Sequence, residues 1–395
     1  MTDWTALRAQ FHLPDGVIYL DGNSLGPMPK GVPERMSACL DDWSELLIRG
    51  WKAAGWMHWP ARLGDRIGRL IGAPEGSVMV GDTLSIKVYQ ALAAALDLRP
   101  DRRVILSDTG NFPTDLYMAE GLIRTLGRGH ELRLVAPEDV ADALDGDVAV
   151  LMLTHVDYRT GRMHDMAALT ARAHAAGALT IWDLAHSAGA VEVDVATVRA
   201  DIAVGCTYKY LNAGPGAPAF IHVRPDLHAD LEPALAGWLG HDAPFAFEPG
   251  YRPASGIGRM RVGTPPVLQM AALEAALDIW DNVDMAALRA RSLDLVGRFR
   301  RAVTERCPML IPALTPDVPH GSQISFRHPE CYAIIQALIA RGVIGDFRAP
   351  DILRFGFCPL FVTDANVDRA ADHLAEIMAL SEWDRPEFKT RKAVT

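Results

Sequence analysis

The sequence predicts a doubly wound α/β protein with a smaller α+β unit toward its C-terminal end. Three observations carry that prediction. Between about residues 103 and 223, short and mostly continuous apolar runs alternate with helical patterns, which marks strands buried on both faces and linked by crossover helices. Beyond about residue 265 the pattern changes to long helices and then short strands. The 395 residues are too many for one small core and suit one large unit plus one smaller.

In chain order, a short amphipathic start leads to an apolar run at 17–20. Asp21-Gly22-Asn23-Ser24-Leu25-Gly26-Pro27 follows, and its residues favour turns and positive φ, so it is a loop. Gly81-Asp82-Thr83-Leu84-Ser85 precedes a helical pattern at 86–96. Strands are predicted at 104–106, 132–135, 148–153, 179–182, 202–204 and 220–223, with helices at 115–126 and 166–175 among them. A stretch rich in Gly, Pro and Arg at 256–266 leads to helices at 266–279 and 285–303. Strands at 323–326 and 352–357 then flank one helix, and another helix comes after them. No internal repeat or low-complexity tract interrupts this order.

A formal net charge of −10 with no block of like charge argues against a nucleic-acid or anionic-membrane surface and leaves a small molecule as the partner class. The five cysteines, Cys39, Cys206, Cys307, Cys331 and Cys358, are far apart with no CxxC spacing. Neither a disulfide framework nor a metal site is expected, and the chain reads as reduced and cytoplasmic. The N-terminus lacks a basic flank followed by an apolar run, and no apolar stretch reaches the roughly 18 residues a span needs, so neither signal peptide nor membrane span is expected.

Lys209 is the only lysine between Lys87 and Lys389. Elsewhere the chain meets its need for positive charge with arginine, yet it keeps one ammonium in Gly205-Cys206-Thr207-Tyr208-Lys209-Tyr210-Leu211-Asn212-Ala213-Gly214-Pro215-Gly216. A guanidinium stays protonated, whereas a desolvated lysine amine is a nucleophile, so Lys209 reads as a Schiff-base lysine; an ordinary exposed lysine is the plainer alternative. Asp183 follows the strand at 179–182, and in open α/β sheets ligands bind beyond the carboxyl ends of strands. A carboxylate there and a lone lysine after the next strand are what pyridoxal 5′-phosphate requires: an amine for its aldehyde and a carboxylate for its ring nitrogen. His186 would hydrogen-bond the cofactor or brace Asp183. Taken singly, Asp183 also suits a helix N-cap and His186 a satisfied core position. Gly81 to Ser85 offers a phosphate the N–H groups of a helix start and the Ser85 hydroxyl. Asn111-Phe112-Pro113-Thr114-Asp115 opens the next helix with an aromatic face for a flat ring, or else with a cap and a hydrophobic staple.

Five segments, Tyr19 to Gly26, Asn111 to Asp115, Trp182 to Gly189, Tyr208 to Gly216 and Gly237 to His241, together resemble those of the kynureninase family, in the aspartate-aminotransferase-like (fold type I) group of pyridoxal phosphate enzymes. The likeness runs from Val17 to the C-terminus. It implies a mostly parallel, seven-stranded-type sheet in a large cofactor-binding domain at 46–265, a small α+β domain at 266–395, and an N-terminal segment at 1–45 that packs on the small domain. Lys209 would carry the cofactor, Asp183 would meet its ring nitrogen with His186 alongside, and Phe112 would stack on the ring. Pro113, Thr114, Asp115 and Thr154 would contact the cofactor. Leu84, Ser85, Tyr208, Trp238 and Thr264 would surround the phosphate, the last two donated by the second subunit of a homodimer with shared sites. Arg354 would clamp the substrate α-carboxylate with its fork of donors. Asn23, Trp56 and His58 would line the substrate pocket, and Tyr208 would serve as an acid. No metal is implied.

The activity this resemblance implies is hydrolysis of L-kynurenine at Cβ–Cγ to anthranilate and L-alanine, with tryptophan and kynurenine degradation and pyridine nucleotide biosynthesis as the pathways served. Thr264 stands where animal members carry asparagine, as it does in bacterial members, which implies that kynurenine is preferred over 3-hydroxykynurenine. Lys209 and Asp183 would also fit another fold type I enzyme, such as a cysteine desulfurase or a small-molecule aminotransferase. A non-catalytic cofactor-binding sensor is the third class. The sequence has no cysteine in an obvious flexible loop and no segment that reads as a DNA-binding appendage.

Overall fold

Seven strands form one sheet in the computed structural model, which describes residues 2–391. They are β1 (Val78–Val80), β2 (Val104–Asp108), β3 (Glu131–Val135), β4 (Val148–Thr154), β5 (Leu179–Asp183), β6 (Ile202–Gly205) and β7 (Phe220–Val223). The spatial order is β1-β7-β6-β5-β4-β2-β3; five strands from β6 to β3 pair in parallel, and β7 runs antiparallel to both β6 and β1. β4 and β5 are buried at every residue, as continuous apolar runs in a sheet covered on both faces should be. β3 lies at the edge, half-exposed, and carries Glu131 and Arg133, the charged dressing that keeps an edge from pairing with another chain.

Helices cover both faces. Among the longer ones are α1 (Val32–Leu46), α2 (Trp59–Leu70), α3 (Leu84–Asp97), α4 (Pro113–Leu126), α5 (Met166–Ala175) and α6 (Val267–Trp280). Ala91, Leu92, Ala94 and Ala95 of α3 share a core with Ile105, Val150, Ile181 and Val204 on one face of the sheet. Leu106, Leu151, Leu153 and Trp182 face the other way, into a core that also takes in Leu169 and Ala173 of α5 and Trp280 of α6. Strand β1 and helices α1 and α2 have no counterpart in the sequence reading. Three strand residues are too few for a period, and α1 leaves Leu40 and Trp43 exposed, which blurs its amphipathic stripe.

The C-terminal part holds a four-stranded antiparallel sheet, β8 (Ile311–Pro312), β9 (Gln323–Arg327), β10 (Asp346–Arg348) and β11 (Ile352–Gly356), ordered β10-β11-β9-β8. The helices that accompany it are α7 (Met285–Arg306), α8 (Cys331–Ala340) and α9 (Asp364–Ala379). Phe299 of α7 meets the rings of Phe326, Phe355 and Phe357 at centroid distances of 6.2, 5.0 and 5.3 Å. The N-terminal chain joins this part: Ile18–Tyr19 pairs in parallel with Val343–Ile344, and the Gly356 N–H donates to Leu20 O at 2.7 Å. Helix α6, which begins at Val267, also faces back toward the earlier residues. Its buried Glu274 takes Arg35 and Arg62, and its Asp278 and Asp281 take Arg66. Among the described residues no helix is long and apolar enough to cross a membrane.

Candidate active site

Three neighbouring strands end at one place. Thr154 closes β4 and is the register partner of Asp183, which closes β5; β6 ends at Gly205, four residues before Lys209. From the end of β2 the chain turns through Asn111 and Phe112 into α4, whose first turn holds the buried Asp115. Carboxyl ends of parallel strands thus gather the amine, the carboxylates and the aromatic ring that the sequence singled out.

Lys209 is 9% exposed. Its Nζ faces His186 Nε2 at 3.1 Å and lies 5.8 Å from the ring centroids of both Phe112 and Tyr208. Among the described residues, no carboxylate oxygen comes within 4.0 Å of it. His186 Nδ1 meets Gln323 Oε1 at 3.1 Å, and Gln323 Nε2 donates to the carbonyls of Asp157 and Tyr158. Those carbonyls can only accept, so the Gln323 oxygen must face the histidine; Nδ1 then carries the proton and Nε2 is left as an acceptor toward the lysine. Burial, followed by the charge of Lys209, pushes the His186 pKa well down and keeps the ring neutral.

Asp183 accepts the Ala185 N–H at 2.7 Å and is 2% exposed. Burial raises its pKa, while Lys209, the Ala185 N–H and hydrogen bonds from Asp115 and Thr154 work against that rise. Asp115 is held well above the usual carboxylate range, by burial first and then by the charge of Asp183. Two buried carboxyl groups side by side cannot both ionise cheaply, so Asp115 keeps a proton and donates it to Asp183. Burial and then Cys206 raise the Tyr208 pKa, so the phenol stays protonated through neutral pH. Phe112 is braced edge-on by Tyr158 at 5.1 Å.

The loop from Asp21 to Pro27 docks against the lysine segment. The Gly26 N–H donates to Tyr208 O at 2.8 Å, and a Cβ on Gly26 would sit 2.4 Å from Lys209 O, so only glycine fits that approach. On the same loop Asn23 is fully buried with neither amide atom partnered, and a Cβ on Gly356 would fall 2.0 Å from its Oδ1. Beside it Arg354, 1% exposed, is already engaged. Its Nε donates to Asp346 Oδ1 at 2.8 Å and its Nη1 to Tyr158 O at 2.5 Å; Nη2 serves Ser24 Oγ at 2.6 Å and Asp346 Oδ2. Arg348 also reaches Asp346, at 2.6 Å. Asp21 lies 4.0 Å from Arg354, and burial together with the charge of Asp346 lifts its pKa to about 7. The sequence reading had Arg354 free to present its fork; in the fold, the edge of that fork bearing Nε and Nη2 grips Asp346.

Leu84 and Ser85 stand at the start of α3, where the Thr83 side chain leaves the helix N-terminus uncapped. Thr264 lines a small cleft with Gly81, Asp82 and Lys87, next to that helix start. Trp238 lies on the adjoining segment, where the Leu239 N–H donates to Val262 O at 3.3 Å; it is 42% exposed and stacks edge-on with Phe245. Pro113 and Thr114 form the half-buried first turn of α4. Trp56 is packed in the core against Trp51, and His58 is exposed; no contact joins either to Lys209. Sequence reasoning gave no role to Gln323, Asp346 or Arg348. Only Arg348 and Asp346, two residues apart before a predicted strand, left a trace in the sequence, as opposite charges in an otherwise apolar stretch.

The family model described as "Kynureninase C-terminal domain" matches residues 288–374. The kynureninase of Pseudomonas fluorescens is 52% identical over 399 residues, covering 98% of this chain and 96% of the relative. That of Burkholderia pseudomallei (strain 1106a) is 52% identical over 398 residues with the same coverage. Among solved structures, a mutant of C-DES with glycine covalently linked to its PLP cofactor superposes with a TM-score of 0.83 at 17% identity, covering 95% of this chain and all of that one. The apo cysteine desulfurase of Thermococcus onnurineus NA1 gives a TM-score of 0.80 at 19% identity, with coverage of 96% and 99%. At such identities the structures share the fold alone, whereas the two kynureninases are relatives by sequence as well.

Proposed function

The chain belongs to the kynureninase family, and on that premise we propose that the Lys209 site hydrolyses L-kynurenine to anthranilate and L-alanine with pyridoxal 5′-phosphate as cofactor. The observation that carries the reading is a buried lysine amine with no carboxylate partner among the described residues, at one site with the buried carboxyl groups of Asp115 and Asp183 and the ring of Phe112. Those residues fit the cofactor group by group: Lys209 the aldehyde, Asp183 the ring nitrogen, Phe112 the ring face, and the uncapped start of α3 with Ser85 the phosphate. Asn23, fully buried beside Arg354 with neither amide atom partnered, offers polar atoms that a bound molecule can satisfy.

When bound, the cofactor supplies an electron sink for the carbanions formed at the substrate's Cα and Cβ. The chain's own residues do the rest. Arg354, with Arg348 beside it, binds the α-carboxylate and so points Cα–H at Lys209. Lys209, the amine that would hold the cofactor in the resting site, takes that proton and moves it. Asp183 holds the ring nitrogen protonated, and Asp115, donating to Asp183, keeps one negative charge rather than two at that end. Water adds its oxygen to the γ-carbonyl carbon; Cβ–Cγ breaks, anthranilate leaves, and a proton completes the methyl group of alanine. Tyr208 retains its proton and donates a hydrogen bond. Neutral His186 accepts from the Lys209 amine without competing for its charge.

A desulfurase chemistry needs a reactive thiolate. All five cysteines are free and buried, and burial pushes Cys331 and Cys358 up to about 12, so none is activated. The same five thiols support a reducing, cytoplasmic setting. A homodimer is supported by exposed aromatic groups, Trp238, Phe245 and Phe247, beside exposed Thr264, since a second copy covering them would complete the phosphate site. Kynurenine is the favoured substrate over 3-hydroxykynurenine, Thr264 being too short to offer a ring hydroxyl a dedicated partner. Release of fluorescent anthranilate from L-kynurenine, abolished by Lys209→Ala, tests the proposal. Wild-type protein loaded with cofactor that releases none refutes it.

A further inference from the structure

Asn111 has no role in the chemistry above, yet it is 4% exposed and every polar position of its amide is used. Nδ2 donates to Ser107 Oγ at 2.8 Å and to Met152 O at 3.3 Å. Oδ1 accepts the Phe112 N–H at 2.7 Å and the Thr154 hydroxyl at 2.5 Å. A backbone N–H only donates and a backbone carbonyl only accepts, so these partners fix which way the amide points. One side chain thereby joins the end of β2 to the end of β4. Its oxygen grips the backbone of the residue whose ring would lie on the cofactor.

Thr154 extends the connection. It pairs in register with Asp183, and its hydroxyl donates to Asn111 at 2.5 Å while lying near enough to the Asp183 carboxylate to help hold that group's pKa down. A hydroxyl has a single proton, so the two acceptors compete for it. Asn111 therefore determines how much of that donor Asp183 receives. Resting on the reading of the Lys209 site, we propose that Asn111 is a positioning residue for this reaction: its amide sets the placement of Phe112 and the direction of the Thr154 hydroxyl, and through Thr154 the hydrogen bonding of Asp183. Asn111 touches neither substrate nor cofactor in this role. It acts by holding two groups that do.

The test uses the full-length holoenzyme. Asn111→Ala leaves the Phe112 N–H without its acceptor and Thr154 without its second partner, so cofactor affinity, measured by fluorescence titration of the apo form, weakens by about tenfold or more, as loss of buried hydrogen bonds predicts. At saturating cofactor kcat falls while KM for kynurenine stays within about twofold, because the carboxylate-binding residues are untouched. In a double-mutant cycle Asn111→Ala and Thr154→Val are coupled: the double variant loses less than the product of the two single losses. A control at the buried Ser292, which bonds Phe357 O, lowers Tm without changing cofactor affinity. Asn111→Ser, which cannot span to β4, gives the same losses should the alanine variant not fold. Wild-type cofactor affinity and kcat in either variant, or losses that multiply independently with Thr154→Val, overturn the inference. Failure of the wild type to release anthranilate instead sinks the proposed reaction, and the affinity measurements and their cycle still decide the role of Asn111.

Discussion

Gly26→Ala puts the largest strain on the lysine through the smallest chemical change. The added Cβ would stand 2.3 Å from Asn212 Oδ1, 2.4 Å from Lys209 O and 2.7 Å from Asn212 Cα, whereas ordinary contact begins at 3.4 Å. Two of those atoms are backbone and cannot rotate away. Asn212 itself has φ of +59°, and its N–H donates to Lys209 O, so the segment has little freedom to yield. The loop and the lysine segment must therefore separate by about 1 Å, and the hydrogen bond from Gly26 to Tyr208 O stretches with them. A displacement of about 1 Å at a reacting group costs on the order of 10² in rate, and overpacking of this kind costs about 1–3 kcal/mol in stability. Continuous measurement of anthranilate release gives kcat, and a thermal melt gives the second quantity. Gly31→Ala is the matched control, because its Cβ meets nothing within 4 Å. Wild-type kcat in Gly26→Ala, with or without a lower Tm, would show that the loop does not place Lys209.

Three further outcomes are expected. Asp183→Asn retains cofactor but loses about 10³ in kcat, the scale of removing a preorganised charge; near-normal turnover would give the ring nitrogen another partner. Asp21, with its pKa raised to about 7, binds a proton more tightly folded than unfolded, so the stability it contributes is present below the ordinary carboxylate range and is lost as pH rises toward 7. Asp21→Asn should flatten that part of a Tm-against-pH curve, and an unchanged curve contradicts the raised pKa. Mixing a Trp238 variant with a Lys209 variant should restore part of the activity if subunits share sites, and no recovery in a verified mixed dimer argues against sharing.

Much of the site was legible because its parts obey local rules. A lone lysine in an arginine-rich chain stands out in composition, and Asp183 announces itself by ending an unbroken apolar strand. The same regularity made the main sheet readable strand by strand, since strands buried on both faces are continuous apolar runs. Short elements escaped for the complementary reason: β1, β8 and β10 have two or three residues each, too few to show a period, and pairing with a neighbouring strand makes them strands. His186 could be read as part of the site, beside the cofactor or Asp183, but neither its contact with Lys209 nor its tautomer could, because the latter depends on Gln323, which lies 137 residues further on.

The carboxylate site shows where such reading stops. Arg354 is a good guess from sequence, as an arginine flanked by apolar residues, but its capacity to bind depends on partners that no local pattern ties to it. Asp346 reaches it across the antiparallel pairing of β10 with β11, and Ser24 comes from the other end of the chain. A guanidinium has five N–H donors, and four are already committed, two to Asp346 and one each to Ser24 and Tyr158 O. One donor on Nη1 is left for a substrate. A two-point grip on the α-carboxylate therefore requires Ser24 or the Tyr158 carbonyl to give way, or Arg348 to supply the second donor. The latter needs less rearrangement, because Arg348 is the more exposed of the two arginines and already shares Asp346 with Arg354. Asp21 then sets the balance of charge. Protonated, it leaves the two arginines facing one carboxylate with a net positive charge that welcomes an anion; ionised, it cancels that charge from 4.0 Å away.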